Sequence, residues 1–179
     1  LVEEVASQLH LANLTRSWRD HGADVVAESL EAIHGRIHRI GVEGSSPAQV
    51  YDALTTLDGL SGWWTEKTSG ETDVGGVIEF RFGPGGFDMK VVELDPGRLV
   101  RWEVVDGPQE WIGTHVEWDL SQDGDYAIVL FKHEGWREQV EFMNHCSTKW
   151  ATFLLSLKQL LETGEGAPDP RDMQISNWH

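Results

Sequence analysis

The chain has 179 residues, 40% of them hydrophobic, and a formal net charge of -16 at pH 7. This length suits one globular domain that buries about two thirds of its unfolded surface. The excess of acids disfavours nucleic acid and anionic membranes as partners, because both carry negative phosphate groups. A single cysteine excludes an internal disulfide framework. Together with the lack of a signal segment or spanning apolar run, this favours a reducing cytoplasm.

Residues 1–34 form a stretch with its own helical spacing. Apolar residues recur at this spacing on both sides of a break at Asp20-His21-Gly22. The pattern predicts two short helices in an amino-terminal extension, 1–34, ahead of a domain at 35–179. A cloning remnant, a docking arm and an oligomer contact all fit this extension, so a homodimer is one expected assembly.

The domain is predicted to begin with one strand and two short helices. Extended spacing over 36–43 predicts the strand. Ser46 followed by Pro47 is a helix-start signal, so a helix is expected over 47–54. A second short helix is expected at 58–64.

From residue 67 onward the pattern is one of strands separated by turns. Ile78 and Phe80 alternate with Glu79 and Arg81, which is typical of a sheet with one buried face. This strand is predicted at 77–82, and further strands at 87–94, 98–105, 111–120 and 126–133. Turns recur about every 10 to 12 residues, so we predict an antiparallel meander of six strands after the two helices.

The longest helical period in the chain runs from 138 to 162. Met143, Trp150 and Leu157 recur every seven residues at the centre of a broad apolar stripe, and Gly164 is a stop signal. Such a helix is about 37 Å long at 1.5 Å per residue, which exceeds the roughly 29 Å width of seven strands. We therefore predict an α+β fold in which a curved antiparallel sheet of about seven strands wraps one long helix. A cavity between the two fits this arrangement.

Few residues carry a chemical motif. Phosphate loops, dinucleotide-binding glycines, paired cysteines and zinc helices are missing, so we predict no cofactor and no metal. Cys146 faces inward on the helical wheel and is expected to be a small buried residue, because no neighbouring base would activate it. Trp63 and Trp64 could each either fill the core (a plug) or cover the opening of a pocket (a lid). We favour the plug for one of them and leave the other open.

His133 is the candidate polar group inside the domain. Placing Lys132 outward turns His133 inward, whereas strand parity turns His115 away and the helical wheel puts His145 on the polar side. An inward histidine is most often a satisfied structural group, but it is also suited to acid and base chemistry. In an apolar cavity its neutral ring would offer a ligand one donor and one acceptor.

Several spaced motifs resemble one superfamily. They are VYDALTTLDGLSGWWT (50–65), GGVIEF (75–80), MKVVELDPGRLVRWEV (89–104), WIGTHVEWDL (111–120), VLFKHEGW (129–136) and CSTKWATFLLSLKQLLETGEGAP (146–168). From about residue 36 to 178 the chain resembles the SRPBCC (START-like) superfamily, in the branch named for the activator of the heat shock protein 90 ATPase. Residues 1–34 do not resemble the separate amino-terminal domain of the eukaryotic activator.

The resemblance implies a helix-grip fold with a hydrophobic cavity between the sheet and the last helix. It implies a cavity lined by Phe80, Met89, Trp102, Thr114, Trp118, Phe131, His133, Met143, Cys146 and Trp150. Three functions are expected, in order of preference: binding of a small hydrophobic or amphipathic molecule, cofactor-free catalysis of a cyclase, dehydrase or hydrolase type, and a chaperone-associated interaction module.

Overall fold

The computed structural model describes residues 36–178. The predicted helical extension at 1–34 lies outside these residues. The elements in chain order are β1 (Arg36–Glu43), α1 (Pro47–Thr55), α2 (Leu57–Trp63), β2 (Lys67–Gly70), β3 (Val77–Phe82), β4 (Gly85–Asp95), β5 (Leu99–Asp106), β6 (His115–Asp123), β7 (Tyr126–Glu134) and α3 (Glu141–Thr163). Both predicted short helices and the long final helix are therefore present.

The seven strands form one antiparallel sheet in the order β1-β7-β6-β5-β4-β3-β2. Each strand from β2 to β7 pairs with its neighbour in sequence, and β1 closes the order by pairing with β7. Helix α3 lies against the inner face of this sheet, where Trp150 contacts Phe131 of β7 and Trp118 of β6. The predicted α+β architecture of a seven-stranded sheet on one long helix is confirmed.

Local signals explain where the helices begin and end. The Ser46 hydroxyl accepts a hydrogen bond from the Gln49 backbone N–H at 3.3 Å, and the Gln49 side chain accepts one from the Ser46 backbone N–H at 2.9 Å. This reciprocal pair satisfies two backbone donors that a helix start leaves without partners. Helix α3 ends where Gly164 adopts a left-handed φ of 85°, a conformation that glycine adopts without steric cost.

Two predicted starts are wrong by three residues or more. The strand predicted at 111–120 begins only at His115, because Trp111 and Ile112 both donate backbone hydrogen bonds to the Pro108 carbonyl in a turn. The final helix begins at Glu141 rather than at 138. The first difference matters more for function, since it puts Trp111 in the β5–β6 loop, residues 107–114, instead of in the sheet.

The outer face of the sheet carries a row of alternating charges. Glu117 lies between Arg101 and Lys132, and Arg101 also reaches Glu93 at 3.3 Å. Burial alone would raise the pKa of Glu117, but hydrogen bonds from Lys132 and Arg101 lower it below the usual value. Charged residues therefore occupy the face that the alternation predicted to point outward.

Candidate functional site

All ten residues of the predicted site are buried in the space between the sheet and α3. They are Phe80, Met89, Trp102, Thr114, Trp118, Phe131, His133, Met143, Cys146 and Trp150. The sheet contributes six of them, α3 contributes three, and Thr114 comes from the end of the β5–β6 loop. The structure thus brings the ten together, while their role in binding stays a prediction.

Trp150 is the central ring of this group. It is 2% exposed. Its ring centroid lies 4.5 Å from that of Phe131, 4.8 Å from Trp64 and 5.9 Å from Trp118. The sequence prediction that Trp150 is the middle of the buried stripe is confirmed. Aromatic rings at these separations fill the space in which an open cavity was expected.

Trp63 and Trp64 both belong to the core. They stack at a centroid distance of 5.3 Å, and Trp64 also lies 4.2 Å from Phe80. The Trp63 indole N–H donates to the Ala53 carbonyl at 3.0 Å, which fixes that ring on α1. The plug interpretation therefore holds for both tryptophans in this conformation.

His133 has a hydrogen-bond partner at each ring nitrogen. The Trp150 indole N–H donates to Nδ1 at 3.1 Å, so Nδ1 carries no proton. Nε2 must then carry it and donates to Thr114 Oγ1 at 2.8 Å, and that hydroxyl donates to the Trp111 carbonyl at 2.6 Å. The donor and the acceptor that the sequence assigned to a ligand are both used inside the protein.

Burial keeps the two reactive side chains of the core uncharged. Desolvation, assisted by the charge of His115, lowers the pKa of His133 to about 3. Desolvation likewise raises the pKa of the Cys146 thiol to about 12. Near neutral pH the core therefore holds a neutral imidazole and a neutral thiol.

Three indole groups of the core have no such partner. The Nε1 atoms of Trp111, Trp118 and Trp136 are buried and form no hydrogen bond with any described residue. Cys146 lies beside the Trp111 indole and interacts with it, but a thiol sulfur is a weak acceptor and the geometry is not that of a hydrogen bond. By contrast, the buried hydroxyls of Thr65 and Ser156 are paired, with the Arg81 carbonyl and the Ala167 N–H respectively.

Two of these indoles, those of Trp111 and Trp136, lie next to His133 and next to each other. The ring centroid of Trp111 lies 4.9 Å from that of His133, and the ring centroid of Trp136 lies 5.0 Å from it. Trp111 belongs to the β5–β6 loop and Trp136 to the β7–α3 loop, residues 135–140. Neither was predicted as a site residue from the sequence. Trp111 was assigned to a strand, and no periodic pattern marks Trp136.

His115 and His145 lie away from this group, as their positions in strand and helix predicted. His115 lines a surface pocket of about 430 Å³ on the outer face, together with Arg101 and Glu134. His145 lies at the side of α3, where its Nδ1 is 3.1 Å from the Ser176 hydroxyl. A second surface pocket, of about 230 Å³, lies outside the core beside Trp136.

Two further observations concern residues 36–178. No three His, Cys, Asp or Glu side chains in this range lie close enough together to hold a metal ion. No helix in the same range is long and apolar enough to cross a membrane.

A family model described as "Activator of Hsp90 ATPase homolog 1-like protein" matches residues 45–162. The chain belongs to this family. The family assignment confirms the resemblance to the SRPBCC superfamily and its activator branch. No match was found among curated proteins.

Solved structures share the fold. The Aha1 dimer from Colwellia psychrerythraea is 47% identical, with a TM-score of 0.69, and the match covers 74% of this chain and 98% of that one. Protein SSP2350 from Staphylococcus saprophyticus is 16% identical, with a TM-score of 0.62 and coverage of 74% and 94%. CalU16 from Micromonospora echinospora is 19% identical, with a TM-score of 0.62 and coverage of 76% and 77%. The last two likenesses concern the fold alone.

Proposed function

We propose that this chain binds a small neutral molecule, hydrophobic or amphipathic, between the sheet and α3. The observation that carries the proposal is the set of three buried indole N–H groups without a partner, on Trp111, Trp118 and Trp136. Leaving a buried donor unpaired costs about 1–3 kcal/mol. A ligand with an acceptor atom in this core would remove part of that cost.

Access to the core is expected at the end where the two loops meet. Trp111 and Trp136 are held by loop backbone rather than by the sheet or a helix. Loops move at a lower cost than the strands and helices that they connect. A ligand would take the space that these rings fill in the present conformation.

Binding is favoured over cofactor-free catalysis. A histidine that acts as a general base needs a ring nitrogen that is able to take up a proton near neutral pH. Both nitrogens of His133 are engaged, and its pKa is lowered to about 3 by burial. A nucleophilic cysteine needs a thiolate, and burial raises the pKa of Cys146 to about 12.

Family membership supports two further proposals. The Colwellia relative is described as a dimer, and we propose the same assembly for this chain. The match covers 98% of that relative and 74% of this chain, so the shared region is sufficient for assembly in the relative. A chaperone-associated role is the other proposal, supported by the family description.

We further propose that the protein works in a reducing cytoplasm, which the single, buried cysteine supports.

Binding of 2-acetylnaphthalene to protein freed of co-purified molecules tests the main proposal. We expect saturable binding by calorimetry with one molecule per chain, and a melting temperature that rises with probe concentration. Trp178→Phe is the control, because Trp178 is 37% exposed and lies outside the core. It should bind the probe as well as the unmodified chain does. Heats no larger than dilution heats up to the solubility limit would refute the proposal.

A further inference from the structure

The two indoles beside His133, Trp111 and Trp136, are here called the indole pair. Their ring centroids lie 6.3 Å apart in an edge-on arrangement. Each ring also contacts Phe142 of α3, at 6.1 and 6.2 Å. The pair therefore lies in one enclosed space, between two loops and the first turn of the helix.

We propose that the indole pair is the subsite for a neutral oxygen acceptor of the ligand, such as a ketone or ester carbonyl. This rests on the proposed function and names the class of ligand. A carbonyl oxygen has two lone pairs and so accepts two hydrogen bonds. The pair offers two N–H groups that have no acceptor among residues 36–178.

Donor groups on a ligand would find no comparable partner here. Two polar side chains beside the pair are already engaged, since His133 Nδ1 accepts from Trp150 and the Thr114 hydroxyl donates to the Trp111 carbonyl. The Cys146 sulfur, which lies beside Trp111, is only a weak acceptor. An indole nitrogen donates only. The subsite therefore distinguishes acceptor-rich ligands from ligands that need to donate.

Charge disfavours a carboxylate as the acceptor at this subsite. Burying an anion requires a cation or several donors to replace its water. His133 remains neutral, because its pKa is lowered to about 3 by burial. At the rim beside Trp136, the surface pocket carries Glu110 and Glu138 against the single guanidinium of Arg137. Glu110 is close enough to Cys146 to help raise the pKa of its thiol, so negative charge already acts on this end of the core.

Three naphthalenes of nearly equal shape test the subsite in the full chain. They are 2-ethylnaphthalene, 2-acetylnaphthalene and 2-naphthoate. At pH 7 we expect the acetyl compound to bind about tenfold tighter than the ethyl compound, the gain from about one net hydrogen bond, and the naphthoate to bind most weakly. Dissociation constants are measured by calorimetry or competition.

Single substitutions then test whether the preference for the acetyl over the ethyl compound depends on the indole pair. Trp111→Phe and Trp136→Phe each remove one donor, so the acetyl-to-ethyl ratio should fall several-fold in each. Trp63→Phe is the matched control, because its N–H already donates to the Ala53 carbonyl. That control should keep the tenfold ratio.

The outcomes separate the subsite from the proposed function. If no compound binds, the proposed function itself fails. If ethyl and acetyl compounds bind equally, or naphthoate binds tightest, a ligand site exists but the acceptor subsite is refuted. A ratio unchanged in both folded variants also refutes it. These affinity orders in the unmodified chain decide the question even if a variant does not fold.

Discussion

The indole N–H groups of the core differ in whether they have a partner. Trp150 donates to His133 and Trp63 donates to the Ala53 carbonyl. Trp118 is equally buried but has no acceptor among the described residues. The same side chain thus stabilises the folded state at one position and costs free energy at another. A pair of identical substitutions measures this difference.

Trp150→Phe and Trp118→Phe remove the same ring volume, so their packing losses are similar. Trp150→Phe also leaves Nδ1 of His133 buried without a donor, whereas Trp118→Phe deletes an unpaired donor. We expect the free energy of unfolding to fall by about 1–3 kcal/mol more for Trp150→Phe. Urea denaturation monitored by circular dichroism measures both. Equal losses, or a larger loss at Trp118, would contradict the pairing described here.

The alternation of side chains along β7 predicted that His133 faces inward, but it could not predict which residues hydrogen-bond to the ring. Side chains alternate along a strand, so Lys132 outward fixes His133 inward. Its partners Thr114 and Trp150 lie 19 and 17 residues away in sequence. Their distance from the ring depends on how the β5–β6 loop and α3 pack, and no local pattern encodes that. The same reason explains why Trp111 and Trp136 were not predicted as site residues.

The segment that follows α3 runs back along that helix. The Ala167 N–H donates to the Ser156 hydroxyl at 2.8 Å, and Lys149 forms an ion pair with Asp172. Further on, Trp178 lies 5.2 Å from His145. This segment, residues 165–178, has no periodic spacing. The helix stop at Gly164 was therefore predictable from the sequence, but the path of the chain after it was not.

Close contact of this segment with α2 depends on Gly166. A Cβ added there would lie 2.4 Å from the Gly62 carbonyl oxygen, which is backbone and cannot rotate away. We expect Gly166→Ala to lower the free energy of unfolding by about 1–3 kcal/mol. Thermal or urea denaturation measures the loss.

Gly85→Ala is the control for that substitution. A Cβ at Gly85 meets only the Phe82 carbonyl oxygen, at 3.9 Å, and its φ is not in the left-handed region. It should change stability much less than Gly166→Ala. If the two variants are equally stable, the segment is not packed as described.

Side chains of α3 cover part of the edge strand β1. The Gly41 carbonyl accepts from Lys158 at 2.7 Å, and the Glu43 N–H donates to Glu162 at 2.7 Å. These bonds occupy outward-pointing backbone groups of β1, which would otherwise be open to pairing with another sheet. Both elements were predicted from the sequence but this contact was not, because it depends on how α3 crosses β1.

For the whole molecule, the order of elements was predictable and the filling of the interior was not. Alternation and helical period predicted the elements of the domain because burial on one face imposes those periods. Whether the enclosed space is open or filled depends on the rotamers of many rings at once. We propose that the domain folds without residues 1–34, since the Colwellia relative is matched over 98% of its length by 74% of this chain.

Contact between the unpaired indoles and a ligand acceptor is best observed at the indole protons themselves. The measurement is the two-dimensional ¹H–¹⁵N NMR spectrum of the nine tryptophan indoles, assigned with single Trp→Phe variants and recorded during titration with 2-acetylnaphthalene. A proton that enters a hydrogen bond moves downfield. We predict downfield shifts for Trp111 and Trp136, with little change at Trp63, whose N–H is already paired. Saturating probe that shifts only Trp178, or that shifts no indole, would refute ligand binding at these groups.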